Sequence, residues 1–131
     1  DSRVIHNQTR KTIPMSNAIK RSNPGPSLSR LVEFGNLVFV AGTTADHKSA
    51  GCKAQTEEVL KKIDAFLAAA GSDKSKILWC NVWVSDMREK DQMDLAWQAW
   101  IPADAKPARA TVEARLATPD TRVEIMMIAA K

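Results

Sequence analysis

Pro107-Ala108-Arg109-Ala110-Thr111-Val112-Glu113 and, after a short connection, Arg122-Val123-Glu124-Ile125-Met126-Met127-Ile128-Ala129-Ala130 carry the strongest strand signals in the sequence. Aliphatic and β-branched residues alternate with others in both, and Thr118-Pro119-Asp120-Thr121 supplies a turn between them. Successive side chains of a strand point to opposite faces, so Arg109, Thr111 and Glu113 share one face and Ala110, Val112 and Ala114 the other. Pairing the two strands directly, with Thr111 opposite Glu124 and Glu113 opposite Arg122, would make Glu124 the diagonal neighbour of Arg109 at roughly 7 to 8 Å. A small carboxylate and a water fit that gap. Read from the residues alone, the same two charges are better explained by an ion pair with each other or with Glu113 and Arg122, since buried ion pairs are more frequent than active sites.

The run from Pro107 to Glu113, followed by Val123-Glu124-Ile125, resembles the reactive intermediate (imine/enamine) deaminase family, also called YjgF-like or Rid. The resemblance extends back through Gly42, Ala54-Gln55-Thr56 with Val59-Leu60, Ala69-Ala70-Gly71 and Val82-Trp83-Val84-Ser85-Asp86-Met87. It covers the chain from about Gly25 onward.

A length of 131 residues suits one domain with a real core. We divide it into a basic N-terminal arm, residues 1–24, and a single α+β domain, residues 25–131. The formal charge of +4 sits in the arm, where Arg3, Arg10, Lys11, Lys20 and Arg21 stand against Asp1. Such a segment suits anionic surfaces or a phosphate backbone. Without interleaved aromatics for base stacking, it reads better as a solvated or partner-draped terminus, and nucleic acid is not the expected partner. Val4-Ile5-His6 is too brief to assign as a strand. No apolar run approaches the roughly 18 residues of a membrane span, so a cytoplasmic protein is expected. The sequence opens on Asp1, which leaves a removed presequence open. Cys52 and Cys80 lack metal or redox spacing and read as reduced thiols.

Asn23-Pro24-Gly25-Pro26 forms a turn cluster ahead of the domain. Leu31 to Phe34, Gly35-Asn36 and Leu37 to Gly42 read as a hairpin with a two-residue turn of positive φ. Gly42 either simply ends that strand or lets a ligand approach the backbone. His47 lies in a polar loop without ligating neighbours and, like His6, reads as solvated. From Lys53 to Ala70, Val59, Leu60, Ile63, Phe66, Leu67 and Ala70 recur at helical spacing, and Gly71 stops the helix. Ile77 to Val84 is a strand apolar on both faces, with Leu78, Cys80, Val82 and Val84 opposed to Ile77, Trp79, Asn81 and Trp83. Asp86 caps a second helix, Arg88 to Trp100, with Met93, Ala96, Trp97 and Trp100 inward. The order β-β-α-β-α-β-β predicts an α+β two-layer sandwich with its helices on one sheet face. The uncovered face is expected to meet another subunit.

The sequence holds no Gly-rich phosphate loop, Cys/His metal cluster or recognisable nucleophile–base arrangement. The resemblance implies the chorismate-mutase-like (ferredoxin-like) fold, a homotrimer with sites between subunits, and hydrolysis of 2-aminoacrylate-like enamines and imines to 2-oxo acids and ammonia without cofactor or metal. It implies that Arg109 binds the substrate carboxylate and that Glu124 positions water, with Gly42, Thr111, Asp94 and Ser27 lining the site. Three positions depart from the family pattern. Ser27 follows Gly25-Pro26 where a tyrosine is usual, Asp94 stands for an asparagine, and Thr111 for a cysteine. Asp94 in the pocket would repel a second substrate carboxylate. The competing readings are a non-catalytic ligand-binding or chaperone-like trimer and, through the basic arm, a ribonuclease or translation inhibitor.

Overall fold

Gly35, at φ 58°, turns the chain between two strands that the hydrophobic alternation had marked, Ser29–Phe34 (β2) and Leu37–Thr43 (β3). Only Gly35 of that turn is left-handed; Asn36 is not, so the glycine alone supplies the conformation a tight hairpin needs. The computed structural model describes residues 18–131. The readings of Val4-Ile5-His6 and of Arg3, Arg10 and Lys11 fall outside the described residues.

Before β2 lies a strand the sequence did not announce, Lys20–Pro24 (β1), in residues assigned above to the arm. It pairs antiparallel with β2, Lys20 beside Glu33 and Pro24 beside Ser29. Its sequence, KRSNP, is mostly exposed and has no apolar alternation, so a pattern of hydrophobicity cannot reveal it. The proline sits at its end, on an edge strand, where a missing N–H does least harm.

After β3 come a helix, Cys52–Ala69 (α1), the strand Ile77–Val84 (β4), a second helix, Lys90–Trp100 (α2), and the strands Ala108–Glu113 (β5) and Val123–Ala130 (β6). One six-stranded sheet results, in the order β1-β2-β3-β6-β4-β5. All neighbours are antiparallel except β4 and β5, which the α2 crossover makes parallel. This is the expected α+β two-layer arrangement, with α1 and α2 against each other and α1 against β3 and β6.

The core lies between helices and sheet. Val38, Val59, Ile63, Leu67, Val82, Val84, Met93, Ile125 and Met127 are all at or near zero exposure. Asp86 caps as anticipated, accepting from the backbone N of Arg88, but the first turn it starts is a 3-10 turn, Met87–Glu89. In β4 a register shift between Ile77 and Trp79 corrects the expected alternation. Ile77 is buried with Cys80, Val82 and Val84, whereas Leu78 is 50% exposed.

No helix of the described residues covers the other face of the sheet. Along β6, Val123, Ile125, Met127 and Ala129 are buried while Glu124, Met126, Ile128 and Ala130 are half-exposed. Phe34, Leu37, Trp79 and Val112, together with half-buried Phe39 and Trp83, extend this open apolar surface.

The pairing of β5 with β6 expected from sequence does not occur. β4 lies between them, flanked by Ala108–Glu113 on one side and Val123–Ala129 on the other. The connection from Glu113 to Val123 is no hairpin turn, and β4, with Cys80, Val82 and Val84 fully buried, takes the place between the two strands, where both its edges are paired.

Candidate active site

Arg109 stands beside Cys80 in the β4–β5 register, on the helix-covered side of the edge strand. Its Nη2 donates to Asp94 Oδ1 at 2.8 Å, its Cζ lies 5.1 Å from the centre of the Trp97 ring, and Nη1 comes only within 3.9 Å of the Met93 sulfur. A thioether is a weak acceptor, so the guanidinium keeps donors to spare. Residues 90, 94 and 97 fall on one stripe of α2, which explains the assembly of this cluster: Lys90 Nζ meets Asp94 Oδ2 at 2.5 Å one turn away, and Trp97 forms the floor. Burial disfavours the Asp94 anion, but hydrogen bonds from Lys90 and Arg109, and then their charges, outweigh it and hold the carboxyl below its ordinary range. Lys90, Asp94 and Arg109 together carry one net positive charge. Asp94 and Arg109 border a cavity of about 230 Å³ that is also lined by Trp97, Gln98, Ile101 and Lys106.

Two residues further along β5, the Thr111 hydroxyl is buried without a hydrogen-bond partner among the described residues. Cys80 is a spectator: burial pushes its thiol up to about 12, against a smaller opposing pull from Arg109.

Glu124 belongs to a different place. It is in register with Trp83 and points to the open face. Its carboxylate rests on Gly42 of β3 so closely that a Cβ at position 42 would lie 2.2 Å from Oε2. The glycine is therefore a seat for Glu124, one residue before the strand ends at Thr43. Glu124 makes no hydrogen bond or ion pair among the described residues. Ser27 is exposed in the turn between β1 and β2, which Gly25 N closes by donating to Leu28 O at 2.8 Å, and it has no bond to the other candidates.

Arg109 and Glu124 are thus not diagonal neighbours. With β4 between them and their partners Cys80 and Trp83 three residues apart, they are separated by roughly 10 Å across the sheet and about 10 Å along it, on opposite faces. Nor do the alternative ion pairs form. Arg122 Nη1 lies 3.7 Å from Glu89 Oε1, and Glu113 Oε1 accepts from the backbone N of Met87 at 2.9 Å. Glu113 therefore never meets Arg122, because the two strands do not pair.

The family described as Endoribonuclease L-PSP matches residues 18–131. A RutC family protein of Haemophilus influenzae is 40% identical over 112 residues, which are 85% of this chain and 97% of the relative. The crystal structure of a YjgF family member from Neisseria meningitidis superposes with a TM-score of 0.84 at 38% identity, covering 88% of this chain and 97% of that one. The chain belongs to the YjgF-like, or Rid, family. Reactive Intermediate Deaminase A of Arabidopsis thaliana chloroplasts is a more distant relative, 28% identical over 107 residues, 77% of this chain and 57% of the relative.

Within this YjgF-like chain, three supporting groups escaped the sequence reading. Lys90 carried a signal, its i,i+4 spacing to Asp94. Gln55 is fully buried and ties two loops together, donating to the carbonyls of Lys48, Ala50 and Asp120 and accepting from Arg122 N. Arg30 reaches from β2 to the backbone around Gly42 and left no sequence signal, because its target is a main-chain irregularity.

Proposed function

We propose that this YjgF-like protein is an imine/enamine deaminase whose sites form between the subunits of a homotrimer. The observation that carries the reading is the state of Glu124, a carboxylate seated on Gly42 on the open sheet face beside Met126 and Ile128, with no hydrogen bond or ion pair among the described residues. A structural ion pair with Arg109 would have placed the two together. The open apolar face asks for cover, and β5, which carries Arg109, is an edge strand of the sheet among the described residues. Packing one subunit's β5 edge against its neighbour's open face brings Arg109 toward Glu124 of the partner subunit.

In that site the spare donors of Arg109 hold the carboxylate of a 2-imino acid, and the net positive charge of its cluster with Lys90 and Asp94 accommodates one such group. Glu124 takes a proton from water as the oxygen adds to the C=N carbon. The nitrogen receives a proton, the tetrahedral adduct expels ammonia, and a 2-oxo acid remains; one water is consumed and no electrons change hands. Imines hydrolyse readily, so positioning and one base suffice. Neither cofactor nor metal enters. The Thr111 hydroxyl is available to the substrate or its water, and Ser27 is assigned to the rim.

The test is ammonia release from freshly generated 2-aminoacrylate and other 2-imino acids. Wild type accelerates it, and Glu124→Gln abolishes the acceleration while leaving 2-oxo acid binding intact. Arg109→Lys keeps charge but loses the planar fork. At about 1.5 to 3 kcal/mol per charge-assisted hydrogen bond, its kcat/KM falls roughly ten- to a hundredfold. Binding of 2-oxo acids with no acceleration in wild type would leave the ligand-binding trimer. The ribonuclease reading draws on the family's description and the basic stretch before Gly25; cleavage of RNA that is lost on deleting residues 1–17 would favour it.

A further inference from the structure

The seat of Glu124 is built on an irregular piece of backbone. Between Val40 and Thr43 the β3–β6 register slips, so Ala41 and Gly42 drop out of the regular ladder and their carbonyls need other donors. Arg30 supplies them. Its Nη2 donates to Gly42 O at 2.6 Å and to Thr43 Oγ1 at 3.0 Å, and lies 3.5 Å from Ala41 O, while Thr43 Oγ1 in turn donates to Ala41 O at 2.9 Å. The guanidinium is anchored from the other side by the Phe66 ring of α1, 5.8 Å from its Cζ. A continuous chain of contacts therefore runs from α1 through Arg30 to the Gly42 peptide, and Glu124 lies against that peptide's Cα.

We propose that Arg30 is a positioning residue for the proposed reaction: by fixing the bulge at Ala41–Thr43 it fixes where the Glu124 carboxylate rests. This rests on the reading of Glu124 as the group that activates water. Because the carboxylate has no bonding partner among the described residues, its place is set by the surface beneath it, and a bulge free to flatten or slide would let it wander. The carboxylate grip of Arg109 lies on the far side of β4 and does not depend on Arg30. Loss of Arg30 therefore affects turnover, not binding.

Arg30→Met keeps the stem packed on Phe66 and removes the donors; Arg30→Lys restores a single donor. With imino acid substrate, Arg30→Met is expected to lower kcat about tenfold or more while KM stays within about twofold, and Arg30→Lys to recover part of the loss. A second readout is independent of activity: the NMR chemical shift of the Glu124 carboxyl carbon at fixed neutral pH, assigned by its absence in Glu124→Gln, moves in Arg30→Met and moves back in Arg30→Lys. Light scattering on each variant separates this from a simple loss of assembly. An Arg30→Met variant whose trimers turn over at the wild-type rate, or whose Glu124 carboxyl resonance is unmoved, overturns the proposal. If wild type releases no ammonia, the deaminase reading falls and the Glu124 carboxyl resonance alone decides Arg30: a moved resonance upholds its hold on the carboxylate, and an unmoved one ends it.

Discussion

Gly42 and Glu124 make one unit, since the carboxylate occupies the space where any other residue would carry its Cβ. The clash created by Gly42→Ala is with the far end of a flexible side chain, so the fold absorbs it at a cost of about 1 kcal/mol or less, but Glu124 must leave its seat. We expect Gly42→Ala to melt near wild type and to lose imine turnover about as severely as Glu124→Ala. Combined with Glu124→Ala it should add almost nothing, and additive losses in that cycle would separate the two residues. Asp94 gives a pH-dependent prediction. Its carboxyl is held below its ordinary range in the folded state, so its ion pairs contribute fully above the unfolded value, near 3.8, and that contribution is lost as pH falls through the lower folded value. At neutral pH, Asp94→Asn should cost about 1 to 3 kcal/mol by weakening the bonds to Arg109 and Lys90. Denaturation series at descending pH should show wild type and variant converging as pH falls below 3.8 and through the lower folded value, and a gap that persists in acid would contradict the assignment.

At the scale of elements, what could be read from sequence was what local periodicity carries. The apolar stripe from Val59 to Leu67, the alternation through β6 and the caps at Asp86 and Gly71 all depend on residues a few positions apart, and the elements stand where those signals put them. β1 was illegible because Lys20–Pro24 is held by its backbone bonds to β2 and by Lys20 lying 3.9 Å from Glu33, neither of which leaves a hydrophobic trace. The insertion of β4 between β5 and β6 was illegible for another reason: strand neighbours are chosen by the whole topology, and two strands consecutive in sequence look like a pair until a third claims the space. Arg109, Glu124, Gly42 and Asp94 were all named from the resemblance, yet their division over two sheet faces followed from that one misplaced neighbour. Gln55 shows how strongly a single α1 residue can join elements, because its four bonds link the loop before the helix to the turn before β6. Gln55→Ala leaves those backbone groups without their partner and is expected to cost about 2 to 4 kcal/mol. In urea titrations at matched protein concentration this appears as a lowered midpoint at unchanged slope; an unshifted midpoint would mean that water replaces the side chain without loss.

For the molecule as a whole, the open face with Trp79, Trp83, Met126 and Ile128 is the surface through which the proposed trimer forms, and the proposed site needs two chains. Mixing separately inactive Arg109→Ala and Glu124→Gln chains under exchange conditions tests this directly. Random reassembly restores a complete pair at about a quarter of the sites, with ammonia release to match. Mixtures that stay inactive despite demonstrated subunit exchange would argue that both groups work within one chain. The strand that separates Arg109 from Glu124 has one more consequence, for the living cell. On the proposed two-chain site a lone chain, however well folded, holds half a site, so the amount of protein would set the specific activity as well as the total. On dilution below the assembly constant, turnover per chain should fall steeply instead of holding level, and a cell making few copies would gain little of the proposed deaminase activity until synthesis crossed that threshold.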